Sequence, residues 1–254
     1  AGPPGTGKTN LINTLGRDMG IHIVKLTGLR GTDPMAHNIW DFHRALEVIR
    51  SLIPVIAFID DIDRFVYTGS DENERRIMDQ LLNDLLNFMN TPNLYGRVLW
   101  IAASNRPDLI HSEFRKQGRL DDVIPFVLPN AKSREEILGK IFPRNGIPFD
   151  EKVKFANIAE MTERCTGGDL EVIMMRSFQS ARLDNRDIVM EQDLLKAVNE
   201  FVHPRDASMD EYLMLLALRE ASLSPLIPKP LPIGLQERVM DENRLNKAKV
   251  NQRI

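Results

Sequence analysis

The residues best suited to chemistry crowd one end of the chain. Gly2-Pro3-Pro4-Gly5-Thr6-Gly7-Lys8-Thr9 fits a phosphate-binding loop, with glycine, four intervening residues, then Gly-Lys-Thr. Gly2, Gly5 and Gly7 permit the tight turns that aim successive backbone N–H groups at phosphate oxygens. Lys8 supplies positive charge for β- and γ-phosphates, and the Thr9 hydroxyl is suited to coordinate Mg²⁺. A helix opening at about Thr6 adds its positive N-terminal dipole. The apolar spacing of Leu11, Ile12 and Leu15 supports that helix, and Asn10 follows the loop directly. The bland alternative is a glycine-rich surface turn, which would not need every fixed position filled. The pattern therefore implies a nucleoside triphosphate site formed by Gly2, Pro3, Pro4, Gly5, Thr6, Gly7, Lys8, Thr9 and Asn10.

Such a loop needs carboxylates and a polar sensor nearby. Val55-Ile56-Ala57-Phe58-Ile59 is an unbroken apolar run that ends in Asp60-Asp61-Ile62-Asp63. Continuous apolarity indicates a strand buried on both faces, as in a parallel sheet covered by helices. Carboxylates at its end sit on the rim where such sheets bind ligands. Asp60 is the expected Mg²⁺ ligand, direct or through water, and Asp61 the group that polarises an attacking water. Alternatively, one or two of these aspartates cap a helix or pair with Arg64. A second apolar run, Val98 to Ala103, reads as another buried strand and ends in Ser104-Asn105. Asn105 is thereby placed to reach a γ-phosphate or the attacking water, with a simple turn residue as the alternative.

The elements that must position these groups alternate between strand and helix. Helix is expected from Asn10 to Met19 and a strand at Ile21–Leu26. A Gly-rich turn then leads to an amphipathic helix from His37 to Leu52. A long helix follows from Asp71 to Asn90. Val123 to Leu128 reads as a fourth strand, on an edge or at a bulge because Pro125 cannot donate to a ladder. After Pro129-Asn130 the β signal stops and helices take over: 133–142, 153–163, 168–181 and 191–201. Ser133-Arg134-Glu135-Glu136 reads as a capping box. A helix over 208–221 gives way to Pro225, Pro228, Pro230 and Pro232, then to a basic tail from Asn243. The expected fold is α/β: a parallel-sheet nucleotide-binding domain (1–129), a small helical domain (130–205) and a helix with a Pro-rich, basic tail (206–254). The strand that ordinarily feeds a phosphate loop would precede Ala1, so the chain reads as a fragment.

Composition excludes several classes. With 43% apolar and 27% charged residues, the 254-residue chain is that of a globular protein, not a disordered one. A net charge of −3 provides no global attraction to nucleic acid or acidic membranes. Nothing reads as a membrane-spanning segment or signal peptide. The single cysteine, Cys165, precludes an internal disulfide and suits a reducing cytoplasm, where a small buried residue is its expected role. The five histidines show no metal-ligand spacing, and Met174-Met175 and Leu213 to Leu218 read as core.

With these stretches in place, the sequence resembles the AAA family of ATPases, within the wider AAA+ group, from its first residue to about Pro204. Val55 to Asp63 resembles the Walker B segment. Ser104-Asn105-Arg106-Pro107-Asp108 resembles the sensor 1 segment, and Gly118-Arg119-Leu120-Asp121 the end of the second region of homology. Thr166-Gly167-Gly168-Asp169 is similar to the motif opening the lid helix that faces nucleotide, which adds Gly167 and Gly168 to the site. The resemblance implies a hexameric ring, ATP with Mg²⁺ between subunits, and hydrolysis coupled to force on another macromolecule.

The departures are specific. Asp61 stands where the family has Glu, so its carboxylate lies roughly 1–1.5 Å further from a lytic water, and misplacement of ~1 Å can cost ~100-fold in rate. The family's paired arginine fingers align with Lys116 and Arg119. Lys116 keeps the charge and loses the planar fork, while Arg115 lies one residue away. The pore positions fall on Pro34, Met35 and Ala36, without an aromatic, though Trp40 is near. Leu86-Asn87 replaces the Asp-Gly pair that relays nucleotide state between subunits.

Two functions follow from the resemblance. The first is an ATP-hydrolysing homo-hexameric or other ring that remodels, disassembles or translocates proteins or their assemblies in the cytoplasm. The other is a slowly hydrolysing, nucleotide-dependent scaffold or regulatory subunit. A DNA-acting relative is disfavoured by the lack of a helix-turn-helix or basic helix.

Overall fold

The computed structural model describes residues 1–26, 37–65, 72–116, 118–203, 206–222, 224–229, 231 and 235. In chain order these form α1 (Lys8–Met19), β1 (His22–Leu26), α2 (His37–Ser51), β2 (Val55–Ile59), α3 (Glu72–Met89) and β3 (Val98–Ala102). There follow α4 (Ala131–Arg144), α5 (Phe155–Met161), α6 (Gly167–Leu183), α7 (Glu191–Asn199) and α8 (Ala207–Arg219). The chain divides into two compact units. One comprises 1–2, 8–125 and 216–227, and the other 3–7, 126–215 and 228–254. The expected Gly-rich turn, the pore positions 34–36 and the basic tail lie outside the described residues.

In the first unit, β1, β2 and β3 pair in parallel in that order. Every residue of β2 is buried, and the alternation of its side chains explains why. Val55, Ala57 and Ile59 join a cluster with Leu26, Phe42, Leu46, Ile49, Leu81 and Leu85. Ile56 and Phe58 point the other way, to Ile12 of α1 and Ala103. Both faces are covered, so the strand carries apolar residues at every position. Burying Ile56 or Phe58 contributes roughly 1.5–3 kcal/mol each. The register sets Leu26 opposite Ile59 and Ile59 opposite Ala102. The three strands therefore end together, and the polar residues beyond them share one rim.

Two strand expectations need correction. β3 is only partly buried, and Leu99 is 46% exposed, because this strand lies at the edge of the described sheet. Residues 123–128 form no strand and are not part of the sheet. The Val123 N–H donates to Ser222 Oγ at 2.8 Å, and its carbonyl accepts from Ser222 N at 3.3 Å. Those Val123 groups are therefore not part of a ladder, and Pro125 has no N–H to give to one.

The second unit holds α4 to α7. Its core is built on Leu138, Phe142, Ile158, Leu170, Ile173, Met174 and Leu194, and Phe149 meets Phe142 edge-on and Phe155 meets it tilted, at centroid distances of 5.3 and 5.5 Å. Met175 is 45% exposed, so only one of the adjacent methionines is core, as helical periodicity requires. Cys165 is buried, and so are Leu213, Met214, Leu216, Ala217 and Leu218 of α8. The capping box expected at Ser133 is absent. Asn130 caps α4 by accepting from Ser133 N. Arg134 is buried instead, donating to the carbonyls of Ala159 and Pro129.

The buried Asp193 carboxylate accepts two bonds from Arg186, at 2.7 and 2.8 Å, and one from Met190 N at 2.9 Å, fastening the start of α7. The Arg186 guanidinium holds the Asp193 carboxyl below the ordinary carboxylate range. A lowered carboxyl contributes stability that is fully present above its unfolded value, about 3.9, and lost as pH falls through its folded one. Asp193→Ala is therefore expected to lower Tm by about 5 °C at neutral pH. That deficit should persist down to about pH 4 and shrink below it. Thermal melts of both proteins across pH 2–7 check this; a deficit that closes above pH 5 would exclude the assignment. Among the described residues, no helix is long and apolar enough to cross a membrane.

Candidate functional site

The loop adopts the backbone its glycines allow. Gly2, Gly5 and Gly7 have φ of 148°, 80° and 91°, values that favour glycine. α1 begins at Lys8, between the expected opening at about Thr6 and the expected helical stretch from Asn10. The Lys8 side chain turns back over the loop's origin. Its Nζ donates to the Gly2 carbonyl and to Asn105 Oδ1, both at 2.8 Å. Because an ammonium only donates, Asn105 presents its oxygen to Lys8, which leaves its NH₂ to donate to an incoming acceptor. Burial pulls the Lys8 ammonium down to about 8, opposed by the charges of Asp60, Asp61 and Asp63. A phosphate anion beside it favours the protonated form.

The rim of the sheet supplies the acids. Asp60 follows β2 directly, and Thr9 Oγ1 lies 3.5 Å from its Oδ2. The same oxygen accepts an ion pair from Lys25 Nζ at 2.8 Å. Asp61 adopts a left-handed backbone, φ 52°, a conformation in which aspartate is among the least strained residues. Asp63 serves the neighbouring segment: it accepts from the buried Ser104 Oγ at 2.5 Å, and that oxygen accepts from Arg106 N at 2.9 Å. Ile62 N donates to the Ala103 carbonyl at 3.0 Å. These bonds lock the turn that carries Asn105.

Within the second unit, Gly5 of the loop meets the start of α6. Gly168 N donates to the Gly5 carbonyl at 3.3 Å. A Cβ on Gly5 would lie 2.5 Å from Thr166 Oγ1, so glycine is required there for space as well as for φ. Thr166 and Asp169 form the capping box of α6, and both are buried. The cap fixes the backbone of Gly167 and Gly168 against the loop.

Lys116 and Arg119 share one carboxylate. Lys116 Nζ lies 2.6 Å from Glu113 Oε1 and Arg119 NH1 3.2 Å from Glu113 Oε2, and together they hold the Glu113 carboxyl below its usual range. Arg119 also donates to the Glu113 carbonyl at 2.6 Å, and its side chain is only 11% exposed. Arg115 pairs with Glu220 at 2.6 Å. These bonds remain in the first unit and do not involve Lys8 or Asn105. Asn87, which stands in place of the family's Asp-Gly relay pair, lines a separate cleft between α2 and α3 with His43, Arg44, Arg50, Asp84 and Phe88.

Sequence reasoning left Lys25, Asp63, Ser104, Glu113 and Thr166 without roles. Thr166 alone carried a local signal, the Thr-x-x-Asp spacing of a capping box. The roles of the others arise from non-local contacts or from a shared partner.

A glycine-bent loop opening a helix at the rim of a parallel sheet, with its lysine on the sensor-like asparagine, defines a P-loop nucleotide-binding unit. The sequence profile of the ATPase family associated with various cellular activities (AAA) matches residues 1–128, and the chain belongs to that family. It is 34% identical over 202 residues to the proteasome-activating nucleotidase of Thermococcus onnurineus (strain NA1), covering 78% of this chain and 50% of that protein. The ATP-dependent zinc metalloprotease FtsH of Caldicellulosiruptor bescii is 33% identical over 201 residues, 75% of this chain and 31% of its own length. The 26S proteasome regulatory subunit 10B homolog A of Arabidopsis thaliana is 32% identical over 206 residues, 78% of this chain and 50% of that protein. The chain thus spans half or less of these relatives.

Thr9 and Asp60 fit a Mg²⁺ ion. Both offer hard oxygens, and their 3.5 Å separation can be spanned by one ion with bonds of about 2.1 Å.

Proposed function

We propose that the chain binds ATP with Mg²⁺ and hydrolyses it. On this reading it works in a homo-hexamer or similar ring, with nucleotide between subunits, and remodels, disassembles or translocates proteins or protein assemblies. The observation that carries this is the Lys8 ammonium held between the Gly2 carbonyl and Asn105 Oδ1, on the rim where Asp60 meets Thr9. The names of the relatives support a protein substrate: one activates the proteasome, one is a proteasome regulatory subunit and one is an ATP-dependent protease. Residues 1–129 serve as the large domain, 130–205 as its helical lid and 206–254 as a C-terminal extension. The single buried cysteine suits the cytoplasm.

In this mechanism the loop N–H groups and Lys8 cradle the β- and γ-phosphates. Thr9 and Asp60 would hold Mg²⁺, which supplies charge neutralisation at the phosphate oxygens. Asp61 orients the attacking water and accepts its proton, Asn105 donates to the γ-phosphate or that water, and Gly167 and Gly168 bind nucleotide. Arg119, with Lys116, stabilises the charge on a neighbour's γ-phosphate. A slowly hydrolysing scaffold is the second reading, favoured by the engagement of Lys116 and Arg119 with Glu113.

Lys8→Ala tests the site itself. The substitution removes the half-buried cation and leaves the loop backbone intact, so ATP affinity in calorimetry is expected to fall by about a hundred-fold or more. Unchanged affinity would reject the phosphate-loop assignment.

A further inference from the structure

Lys25 ends β1 beside Asp60, and no role for it follows from the reaction as described. Its Nζ lies 2.8 Å from Asp60 Oδ2, the same oxygen that faces the Thr9 hydroxyl at 3.5 Å. Lys25 is directly opposite Phe58 in the parallel register, and its ammonium lies 5.5 Å from the Phe58 ring centroid. Phe58 is fully buried, so that ring is a fixed platform, and a cation over an aromatic face is attracted to it. The ammonium is therefore held at the oxygen that Thr9 and Asp60 would offer to Mg²⁺. Two cations at one carboxylate oxygen repel each other strongly in a partly dehydrated site.

We infer that Lys25 is a built-in competitor for the Mg²⁺ of the bound nucleotide, one that lowers the dependence of nucleotide binding on the metal. The inference rests on reading the loop as a Mg²⁺-nucleotide site. With its ammonium on Asp60, Lys25 screens that carboxylate from the phosphates, and nucleotide without metal meets less repulsion. Nucleotide with metal binds only once the ammonium has left Asp60 Oδ2, which diminishes the gain that Mg²⁺ brings. Both effects narrow the preference for the metal-bound form.

The quantity to measure is the ratio of Kd in EDTA to Kd in saturating Mg²⁺, for a fluorescent ATP analogue and the whole chain. In Lys25→Met this ratio is expected to rise about two- to five-fold, the scale of a partly exposed ion pair. Lys25→Gln supplies a second neutral replacement and should behave alike, whereas Lys25→Arg keeps the cation and should stay near wild type. The difference should shrink as KCl is raised, because the competing pair is partly exposed. In an Asp60→Asn background, Lys25→Met should change nothing further, since the shared oxygen no longer bears charge. If wild type binds the analogue and both neutral variants keep its ratio, Lys25 is only a bridge between β1 and β2. The inference then falls while the nucleotide reading stands. A ratio that drops in the neutral variants would show Lys25 assisting the metal, and also overturns it. Absence of binding by wild type in both conditions rejects the inference and the nucleotide reading together.

Discussion

Asp61→Asn is expected to lower steady-state ATP hydrolysis by about 10²–10⁴-fold, the range of a lost general base. ATP affinity should stay within about two-fold of wild type, because Asp60 and Thr9 still serve the metal. The local backbone makes this a clean substitution. Asp61 sits at φ 52°, and asparagine tolerates that conformation as well as aspartate does. Asp61→Glu is a different case. It adds the methylene that restores the family's reach towards a lytic water, yet it places a longer residue in the left-handed region at a cost of roughly 1 kcal/mol. That variant should melt at a lower temperature and hydrolyse ATP at least as fast as wild type. Phosphate release and nucleotide titration on all three proteins decide the matter. Equal turnover by wild type and Asp61→Asn would remove Asp61 from the chemistry and favour the scaffold reading.

What could be read from the sequence was whatever depends on residues close together in the chain. β2 stood out because a strand covered on both faces must be apolar at every position. The phosphate loop stood out because its geometry needs particular residue types at fixed spacing. Residues 123–128 were misjudged as a strand because apolarity indicates burial, whereas strand pairing depends on where the N–H and C=O groups go. At Val123 both go to Ser222, about a hundred positions away. The cap of α4 was misplaced because Asn130 and Ser133 are both good N-caps, and only backbone geometry chooses between them. The Lys25–Asp60 pair could not be anticipated, since it depends on which strands are neighbours and on their register. The same holds for Asp63 with Ser104. Glu113 lies only three residues from Lys116 and six from Arg119. Its role depends on a short 3-10 turn that brings all three together.

Arg119→Ala is expected to reduce kcat by about 10³–10⁵-fold in assembled rings, the range for a trans-acting arginine. The structure sharpens how this must be tested, because Arg119 is mostly buried and bonded to Glu113. Truncation could therefore act through local packing. Arg119→Lys separates the two effects: it keeps a cation for Glu113 and loses the fork that grips a phosphate. Near-wild-type melting with the rate still lost would place the defect in the chemistry. Complementation then asks whose nucleotide the guanidinium serves. On the proposed ring reading, Lys8→Ala subunits should lack bound nucleotide and Arg119→Ala subunits lack the arginine, so each alone should be nearly inactive. In a mixed ring, an Arg119→Ala subunit keeps its own phosphate loop and borrows the arginine of a Lys8→Ala neighbour, so some activity should return. Light scattering and labelled-subunit exchange must first establish that the two variants assemble together. Silence in proven mixed rings leaves two explanations: Arg119 acts on its own subunit, or hydrolysis needs consecutive intact subunits. Two covalently linked subunits, one carrying each substitution, remove the second explanation, because the linkage fixes which loop faces which arginine. Activity in that pair places Arg119 across the interface. Inactivity there rejects a shared site and leaves Arg119 as a partner of Glu113 within its own subunit.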